Sequence, residues 1–194
     1  MVRTRLVVVA LALAVASRAN AQIANGGFET GSLSPWYQGP VYCTLGPDCI
    51  PWSVTTDQAH SGSYSAFDLG NIELRQDLVT PIFGGDITAF SYWIMQDLPS
   101  VSAFNFYYTD NTSTEFVFDP GSTWGMINVL PDLDPTKTLA GFSVYGVTGG
   151  DPNHTYVDDF NISTSEVPEP GSMALLATGL VGLAGVGRRR SKAS

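Results

Sequence analysis

The chain has few basic residues except at its two ends. Nine of its 194 residues are Lys or Arg, against 18 Asp or Glu. Between Gln22 and Gly171 the only bases are Arg75 and Lys137, so this stretch carries a formal charge of −16. A surface of that sign repels phosphate backbones and anionic lipid headgroups. The middle of the chain is therefore predicted not to bind nucleic acid, and its acidity suits either solubility outside the cell or the binding of cations.

Histidine is also scarce, with two residues in the chain. Neither His60 nor His154 lies near a nucleophile motif such as G-x-S-x-G, and the chain has no HExxH and no glycine loop for phosphate. We therefore predict no catalytic residues and a protein that is not an enzyme. Asp and Glu are plentiful enough for a glycosidase pair, but no spacing selects two of them.

The N-terminus has the three parts of a signal peptide. Arg3 and Arg5 give a positive start, and residues 6–16 form an apolar segment too short to span a bilayer. The run Ala-Asn-Ala at positions 19–21 is a cleavage site of the A-x-A type. Residues 1–21 are therefore predicted to be removed from an exported protein.

Cys43 and Cys49 are the only cysteines, and they flank a short loop that contains Gly and Pro. One such pair has too few soft ligands for a structural metal site. In an exported protein the pair favours a disulfide, with two free thiols as the alternative.

The C-terminal 28 residues contain a second signal. The run Val167-Pro168-Glu169-Pro170 precedes an uncharged segment at 173–187, and Arg188, Arg189 and Arg190 follow it. The prolines prevent an early helix, and the arginines hold the far end of the segment on the cytoplasmic side of a membrane. These 15 residues would rise about 22 Å as a helix against a hydrocarbon core of about 30 Å, so a membrane segment over about 172–187 is short. A segment that is held briefly and then cut fits this length, and so does an ordinary tail anchor.

This order of Pro-Glu-Pro, apolar segment and arginine cluster resembles the PEP-CTERM sorting signal of Gram-negative bacteria, and the resemblance covers all of residues 167–194. It implies a protein held transiently in the inner membrane by a C-terminal helix. It also implies an exosortase, a membrane protease that cuts near the motif, as a partner. The expected destination is the cell surface or an extracellular matrix.

Residues 22–166 remain for a single domain, and they contain no convincing helix. Short runs rich in Val, Ile, Tyr, Phe and Thr are separated by Gly, Pro, Asn and Asp, a pattern that predicts an all-β fold with one antiparallel β-sandwich of the jelly-roll type. The predicted strands are 53–56, 63–68, 72–78, 87–95, 103–109, 114–118, 124–129, 139–147 and 155–162.

Alternation along three of these strands separates a core face from an outer face. The outer faces mix aromatic and polar side chains. The positions predicted to face the core are Phe90, Tyr92 and Ile94 in one strand, Phe104, Phe106 and Tyr108 in the next, and Phe142 and Val144 in the third.

Five blocks in the domain form an ordered series, at 25–36, 59–66, 74–78, 90–93 and 156–160. The series is similar to jelly-roll carbohydrate-binding modules of the galactose-binding-like type. In that fold a structural calcium ion is often bound by the Glu after Gly-Phe and by an Asp of the last strand. Carried over, the metal ligands would be Glu29 and Asp158 or Asp159, with carbonyls near Ser61 and Gly62, because calcium takes six to eight oxygens.

Asp158 is the favoured ligand of the two aspartates, because we expect it to share the core-side face of Phe160 and Ile162. The alternative is that Glu29 only caps a turn and that both aspartates are solvated.

A sugar site needs rings that stack on the C–H faces of the sugar and planar polar groups for its hydroxyls. We predict Trp93, Tyr107 and Tyr145 as ring platforms in one groove, with Asn105 as a hydrogen-bonding partner. The loop that contains Tyr42 and Trp52 is a second possibility.

The sequence therefore predicts an exported, non-catalytic protein of the surface or matrix of a Gram-negative bacterium. Its expected partners are extracellular polysaccharide, an exosortase and, transiently, the inner membrane, and one structural calcium ion is the cofactor considered. The alternatives are a structural matrix protein with no ligand site and a secreted polysaccharide-active enzyme.

Overall fold

The computed structural model describes residues 23–41, 50–69, 72–97, 101–147 and 154–165. The chain divides into the units Met1–Thr164 and Ser165–Ser194, and all described strands belong to the first. Within the described ranges, no helix is long and apolar enough to cross a membrane. Several predictions lie outside these ranges: the signal peptide, the Cys43–Cys49 disulfide, Tyr42, the sorting motif at 167–170, the membrane segment and the arginines at 188–190.

Ten strands form two antiparallel sheets of five strands each. The first sheet has the order β1-β4-β9-β6-β7 and the second has the order β2-β3-β10-β5-β8. Short 3-10 helices occur at Gly84–Asp86 and Leu130–Asp132. The predicted all-β sandwich is confirmed. The strands are β1 (Tyr37–Val41), β2 (Ile50–Thr55), β3 (Ser65–Leu69), β4 (Ile72–Phe83), β5 (Ile87–Gln96), β6 (Val101–Tyr108), β7 (Ser113–Phe118), β8 (Gly125–Asn128), β9 (Thr138–Val147) and β10 (Thr155–Thr164).

Strand β1 is the one strand that the sequence pattern misses. It contains Gly39 and Pro40, which are typical of turns. It lies at the edge of the first sheet, where a missing N–H is tolerated. Gly39 also has a steric reason to be glycine, since a Cβ there would lie 2.6 Å from Oε2 of Glu73.

The core between the sheets is mainly aromatic. The ring of Phe142, from the first sheet, lies 5.0 Å from that of Phe90 and 5.9 Å from that of Phe160, which both belong to the second sheet. It also lies 5.5 Å from Trp36 and 5.7 Å from Phe104. All eight residues predicted to face the core are buried, which confirms the alternation.

Tyr92 places a hydroxyl in this core. The hydroxyl has no hydrogen-bond partner among the described residues, and burial raises the pKa of Tyr92 well above its usual value. Leaving a buried polar group unpaired costs about 1–3 kcal/mol. Tyr92→Phe is therefore expected to raise the free energy of unfolding by about 1 kcal/mol in urea denaturation.

Tyr108→Phe is the matched control, because the hydroxyl of Tyr108 accepts a hydrogen bond of 3.0 Å from the backbone N–H of Asp134. This variant is expected to lower the free energy of unfolding. A loss of stability in Tyr92→Phe would show that the Tyr92 hydroxyl is paired in solution.

Candidate functional site

The four predicted sugar-binding residues lie on two opposite surfaces of the sandwich. Trp93 is on β5 of the second sheet, on the side away from the core. Asn105 and Tyr107 on β6, and Tyr145 on β9, point outward from the first sheet, since their neighbours along each strand are core residues. The predicted single groove is therefore wrong for Trp93, because the two sheets face away from each other. The other three residues do come together.

Trp93 is covered on one face by a histidine. The rings of His60 and Trp93 are stacked, with centroids 3.7 Å apart and planes 14° apart. Nδ1 of His60 lies 2.7 Å from Oδ2 of Asp159, and Trp124 lies beside the His60 ring at 5.7 Å. Trp93 therefore belongs to a packed cluster on the second sheet.

Trp52 is also not a platform. It is 2% exposed, and its indole N–H donates to the carbonyl of Ile72 at 2.6 Å. This residue belongs to the core, which corrects the second predicted sugar site as far as Trp52 is concerned.

One row of residues crosses all five strands on the outer surface of the first sheet. Along it Tyr37 lies opposite Arg75, Arg75 opposite Ser143, Ser143 opposite Asn105, and Asn105 opposite Glu115. Neighbouring strands lie about 4.8 Å apart, so the row is about 19 Å long. We call this outer surface, with Tyr107, Tyr145, Glu73 and Asp77 beside the row, the tyrosine face.

Each tyrosine of this face donates its hydroxyl to a different carboxylate. Hydrogen bonds to an ionised acceptor are short and strong, so they fix the rings before any ligand arrives. Burial, together with the hydrogen bond to the carboxylate, raises the pKa of Tyr37 and of Tyr107 to about 12. The pairs are Tyr37 with Asp77 at 2.8 Å, Tyr107 with Glu73 at 2.8 Å and Tyr145 with Glu115 at 2.7 Å.

Arg75 lies at the centre of the tyrosine face. Its guanidinium carbon is 3.8 Å from the centroid of the Tyr107 ring and 5.8 Å from that of Tyr37. Arg75 therefore makes cation–π interactions with both rings. Its Nε and Nη2 atoms lie 2.9 and 2.8 Å from Oδ1 of Asp77. Burial acts to lower the pKa of Arg75, but Asp77, Tyr37 and Tyr107 together outweigh burial, so the pKa is raised.

The floor of the tyrosine face is polar and contains a glycine. Gly141 lies between Asp77 and Tyr107 in the register, and a Cβ on it would lie 2.6 Å from Oδ1 of Asp77. Glu73 and Asn105 are 4% and 6% exposed, so they line the bottom of this surface. Such a surface offers rings for stacking and fixed donors and acceptors for hydroxyls.

Sequence reasoning missed Tyr37, Glu73, Arg75, Asp77 and Glu115 as members of the site. A signal for three of them was present, because Glu73, Arg75 and Asp77 alternate with the core-facing Leu74 and Gln76 on β4. This period-two pattern marks a polar outer face as clearly as it does on β6 and β9.

The three predicted calcium ligands also come together, near the turn at 60–64. A Cβ built on Gly27 would lie 3.2 Å from Oδ1 of Asp159, 3.6 Å from Oδ1 of Asp158 and 3.9 Å from Cγ of Glu29. Glycine at position 27 therefore leaves open a space lined by all three acidic side chains.

Asp158 does not lie on the face that the alternation predicts. It is opposite Trp93, on the outer side, whereas Ile162 is opposite the core residue Phe90. The register shifts between Asp158 and Asn161, and Asp159 in this bulge has a φ of 48°. A β-bulge adds one residue and so reverses the alternation after it.

Backbone amides of the 60–64 turn bind these carboxylates. Oδ2 of Asp158 accepts hydrogen bonds from the N–H groups of His60 at 2.9 Å and Ser61 at 3.2 Å. Oε1 of Glu29 accepts from the N–H groups of Ser63 and Tyr64, both at 3.0 Å. Glu29 and Asp158 thus hold the turn against the last strand, and neither is merely solvated.

Among the described residues, no group of three His, Cys, Asp or Glu side chains is placed to hold a metal ion. A calcium ion would need main-chain carbonyls beside Glu29 and Asp158, which calcium accepts. The hard oxygens and the space at Gly27 fit such an ion in their chemistry. The calcium site, with Asp159 as the other candidate ligand, stays a prediction.

The pKa of Asp158 makes a prediction about stability. Burial, with the charge of Asp159 nearby, raises this pKa from 3.8 to about 6. The folded protein then binds the proton more tightly than the unfolded chain, so this group's contribution to stability is full below about pH 4 and is lost as the pH rises to about 6. We expect a loss on the order of 1–3 kcal/mol between these pH values, in chelator.

Asp158→Asn is expected to remove this part of the pH dependence in urea denaturation. Burial also raises the pKa of Asp68, so the difference between the wild type and the variant isolates Asp158. An unchanged slope in Asp158→Asn would show that Asp158 has an ordinary pKa.

Comparisons with known proteins bear on the C-terminal tail and on the fold of the domain. Residues 166–190 match the PEP-CTERM protein-sorting motif, which confirms the resemblance of the tail. No curated protein matches the chain significantly.

Solved structures share the sandwich. TmCBM61, solved in complex with β-1,4-galactotriose, is 17% identical with a TM-score of 0.51, over 74% of this chain and 98% of its own. The CBM22-1 xylan-binding domain of Xyn10C from Paenibacillus barcinonensis is 13% identical with a TM-score of 0.53, over 73% and 93%. The enzymatically active domain of tailspike protein 4 of bacteriophage CBA120 is 11% identical with a TM-score of 0.56, over 74% and 21%. The chain therefore has the β-sandwich fold found in carbohydrate-binding modules.

Proposed function

We propose that this protein is exported and binds extracellular polysaccharide through the tyrosine face. The observation that carries the proposal is a set of three tyrosines on one surface, each fixed by a carboxylate, two of which have rings beside the guanidinium of Arg75. Sugar rings stack on aromatic faces, and their hydroxyls bind planar polar groups. Because the rings are already fixed, little conformational entropy is lost on binding.

The proposed site in the cell follows from the sorting motif. The motif at 166–190 supports a protein that an exosortase recognises in the inner membrane, cuts and transfers to the cell surface or matrix. The sandwich fold, shared with carbohydrate-binding modules, supports a glycan as the ligand there.

We propose that the domain is not catalytic. A glycosidase needs an acid and a second carboxylate that both face the scissile bond. On the tyrosine face Glu73, Asp77 and Glu115 each accept the hydroxyl of a tyrosine, so these carboxylates serve to position rings. The same pairs favour a binding surface over a structural matrix protein with no ligand site.

The direct test is the binding of the full-length chain, purified in detergent, to a glycan array and to the producer's own exopolysaccharide. We expect retention on polysaccharide without release of reducing sugar. If no glycan binds, with or without calcium, the proposal fails and a structural matrix role becomes the better one. Release of reducing ends would instead show an enzyme.

Calcium has its own test, which is the melting temperature in chelator and in excess calcium. Free ligand at about 100 times its Kd stabilises by about 2.7 kcal/mol, which shifts the Tm of a domain of this size by about 5–10 °C. Asp158→Asn is expected to remove the shift. An unchanged wild-type Tm would show that the backbone amides alone satisfy Glu29 and Asp158.

A further inference from the structure

We propose that the tyrosine face selects uncharged glycans and rejects glycans that contain uronate. This inference rests on the proposed function and names the class of ligand for the same surface. It follows from the charges of the face and from which of its groups donate or accept hydrogen bonds.

The charges of the tyrosine face are unequal. Glu73, Asp77 and Glu115 are three acidic groups, and Arg75 is the single base. That base already contacts Asp77 at 2.8 Å through Nη2. A sugar carboxylate that enters the face therefore meets Glu73 and Glu115, which form no ion pair with a Lys or Arg of the described residues.

The hydrogen-bonding groups of the tyrosine face also favour neutral sugars over uronates. A carboxylate only accepts hydrogen bonds, whereas a sugar hydroxyl both donates and accepts. The carboxylates of the face offer acceptor sites to hydroxyls, and the guanidinium of Arg75 has N–H groups besides those on Asp77. A hydroxyl at C6 of a neutral sugar can use both kinds of group, whereas the carboxylate that replaces it in a uronate can use only the donors.

The position of Glu73 strengthens the discrimination. Glu73 is 4% exposed, with Oε1 2.8 Å from the hydroxyl of Tyr107 and 3.5 Å from Nδ2 of Asn105. Salt screens buried charges much less than exposed ones. Many binding sites reject a wrong ligand by placing a charge of the same sign next to it, as Glu73 would do with a uronate.

No other base in the domain offers an anion a second attachment. Lys137 is the only other base between Gln22 and Gly171, and its Nζ lies 3.1 Å from Oδ2 of Asp110. The formal charge of −16 on this stretch also slows the approach of any polyanion.

The experiment compares β-1,4-galactan and β-1,4-glucan with the same chains oxidised at C6 to uronate. Binding of the full-length chain in detergent is measured at low and high salt. We expect each oxidised polymer to bind at least about tenfold more weakly than its parent at low salt. The part of this gap that comes from the exposed Glu115 should narrow as salt is added, while the part that comes from the buried Glu73 should remain.

Two outcomes separate the inference from the proposed function. If an oxidised polymer binds as well as its parent, or loses affinity as salt rises, the inference is wrong while glycan binding stands. If no polymer binds and the glycan array is also empty, both fail.

Glu115→Gln tests the source of the selectivity. The glutamine can still accept the hydroxyl of Tyr145, and position 115 is exposed, so the fold is not at risk. The ratio of uronate to neutral dissociation constants is expected to fall by about threefold to tenfold. Asp57→Asn is the charge-matched control, since Asp57 acts on Tyr156 of the second sheet, and its ratio should not move. An equal fall in both variants would assign the effect to overall charge and overturn the role of the face.

Discussion

Tyr107→Ala is expected to weaken glycan binding by about 30-fold or more. Alanine at a tyrosine in the centre of an interface costs about 2 kcal/mol or more, and each 1.4 kcal/mol is tenfold in affinity. Here the change removes a ring platform, the ring that Arg75 covers at 3.8 Å and the donor that Glu73 accepts at 2.8 Å. Isothermal titration with the best polysaccharide from the array measures it.

Trp93→Ala is the matched control for Tyr107→Ala. Trp93 is a partly exposed ring on the outer surface of the opposite sheet, so its loss should change the dissociation constant less than about twofold. Thermal melts of both variants check that the fold survives. The reverse result, with binding lost only in Trp93→Ala, would contradict the tyrosine face and place the site on the second sheet.

Most of the strands could be predicted because the sequence pattern of a strand lies within a few consecutive residues. Nine of the ten overlap a predicted strand, and every position on β5, β6 and β9 that alternation assigns to the core is buried. Alternation is a property of a few consecutive residues and needs no knowledge of the fold. Strand β1 escaped because its glycine and proline serve the contacts of an edge strand, which only the assembled sheet reveals.

The composition of the site could not be predicted in the same way. Alternation shows that Trp93 and Tyr107 point away from the core, but it does not say that β5 and β6 belong to opposite sheets. The bulge at Asp159 could not be predicted either. Its extra residue places Asp158 on the outer face, and no clear sequence signal marks it.

Arg75 shows what three-dimensional contact adds. The sequence shows that Arg75 is one of two bases between Gln22 and Gly171 and that it lies between Glu73 and Asp77. Its role depends on Tyr107, which belongs to β6 and reaches across β9 to Glu73 of β4, where Gly141 keeps the floor low. Residues more than 30 positions apart make this contact, so no local pattern contains it.

Phe142→Ala is expected to lower the free energy of unfolding by about 3–5 kcal/mol in urea denaturation. Phe142 is fully buried, and its ring contacts Trp36, Phe90, Phe104 and Phe160, so the variant loses contacts with both sheets and leaves a cavity. Domains of this size are stable by about 5–15 kcal/mol, so the loss is a large fraction of the total.

Phe83→Ala removes the same atoms from a ring that is 48% exposed, and should cost less than about 1 kcal/mol. The difference between the two variants therefore measures burial and packing at Phe142, with the chemistry of the substitution held constant.

Phe142 is also the neighbour of Ser143, the central residue of the row on the tyrosine face. Since the two side chains leave β9 on opposite sides, a core that holds Phe142 in place also fixes the position of Ser143 beside Arg75 and Asn105. If both variants cost the same, the sandwich is not packed around Phe142, and the core does not fix the position of Ser143 on the tyrosine face.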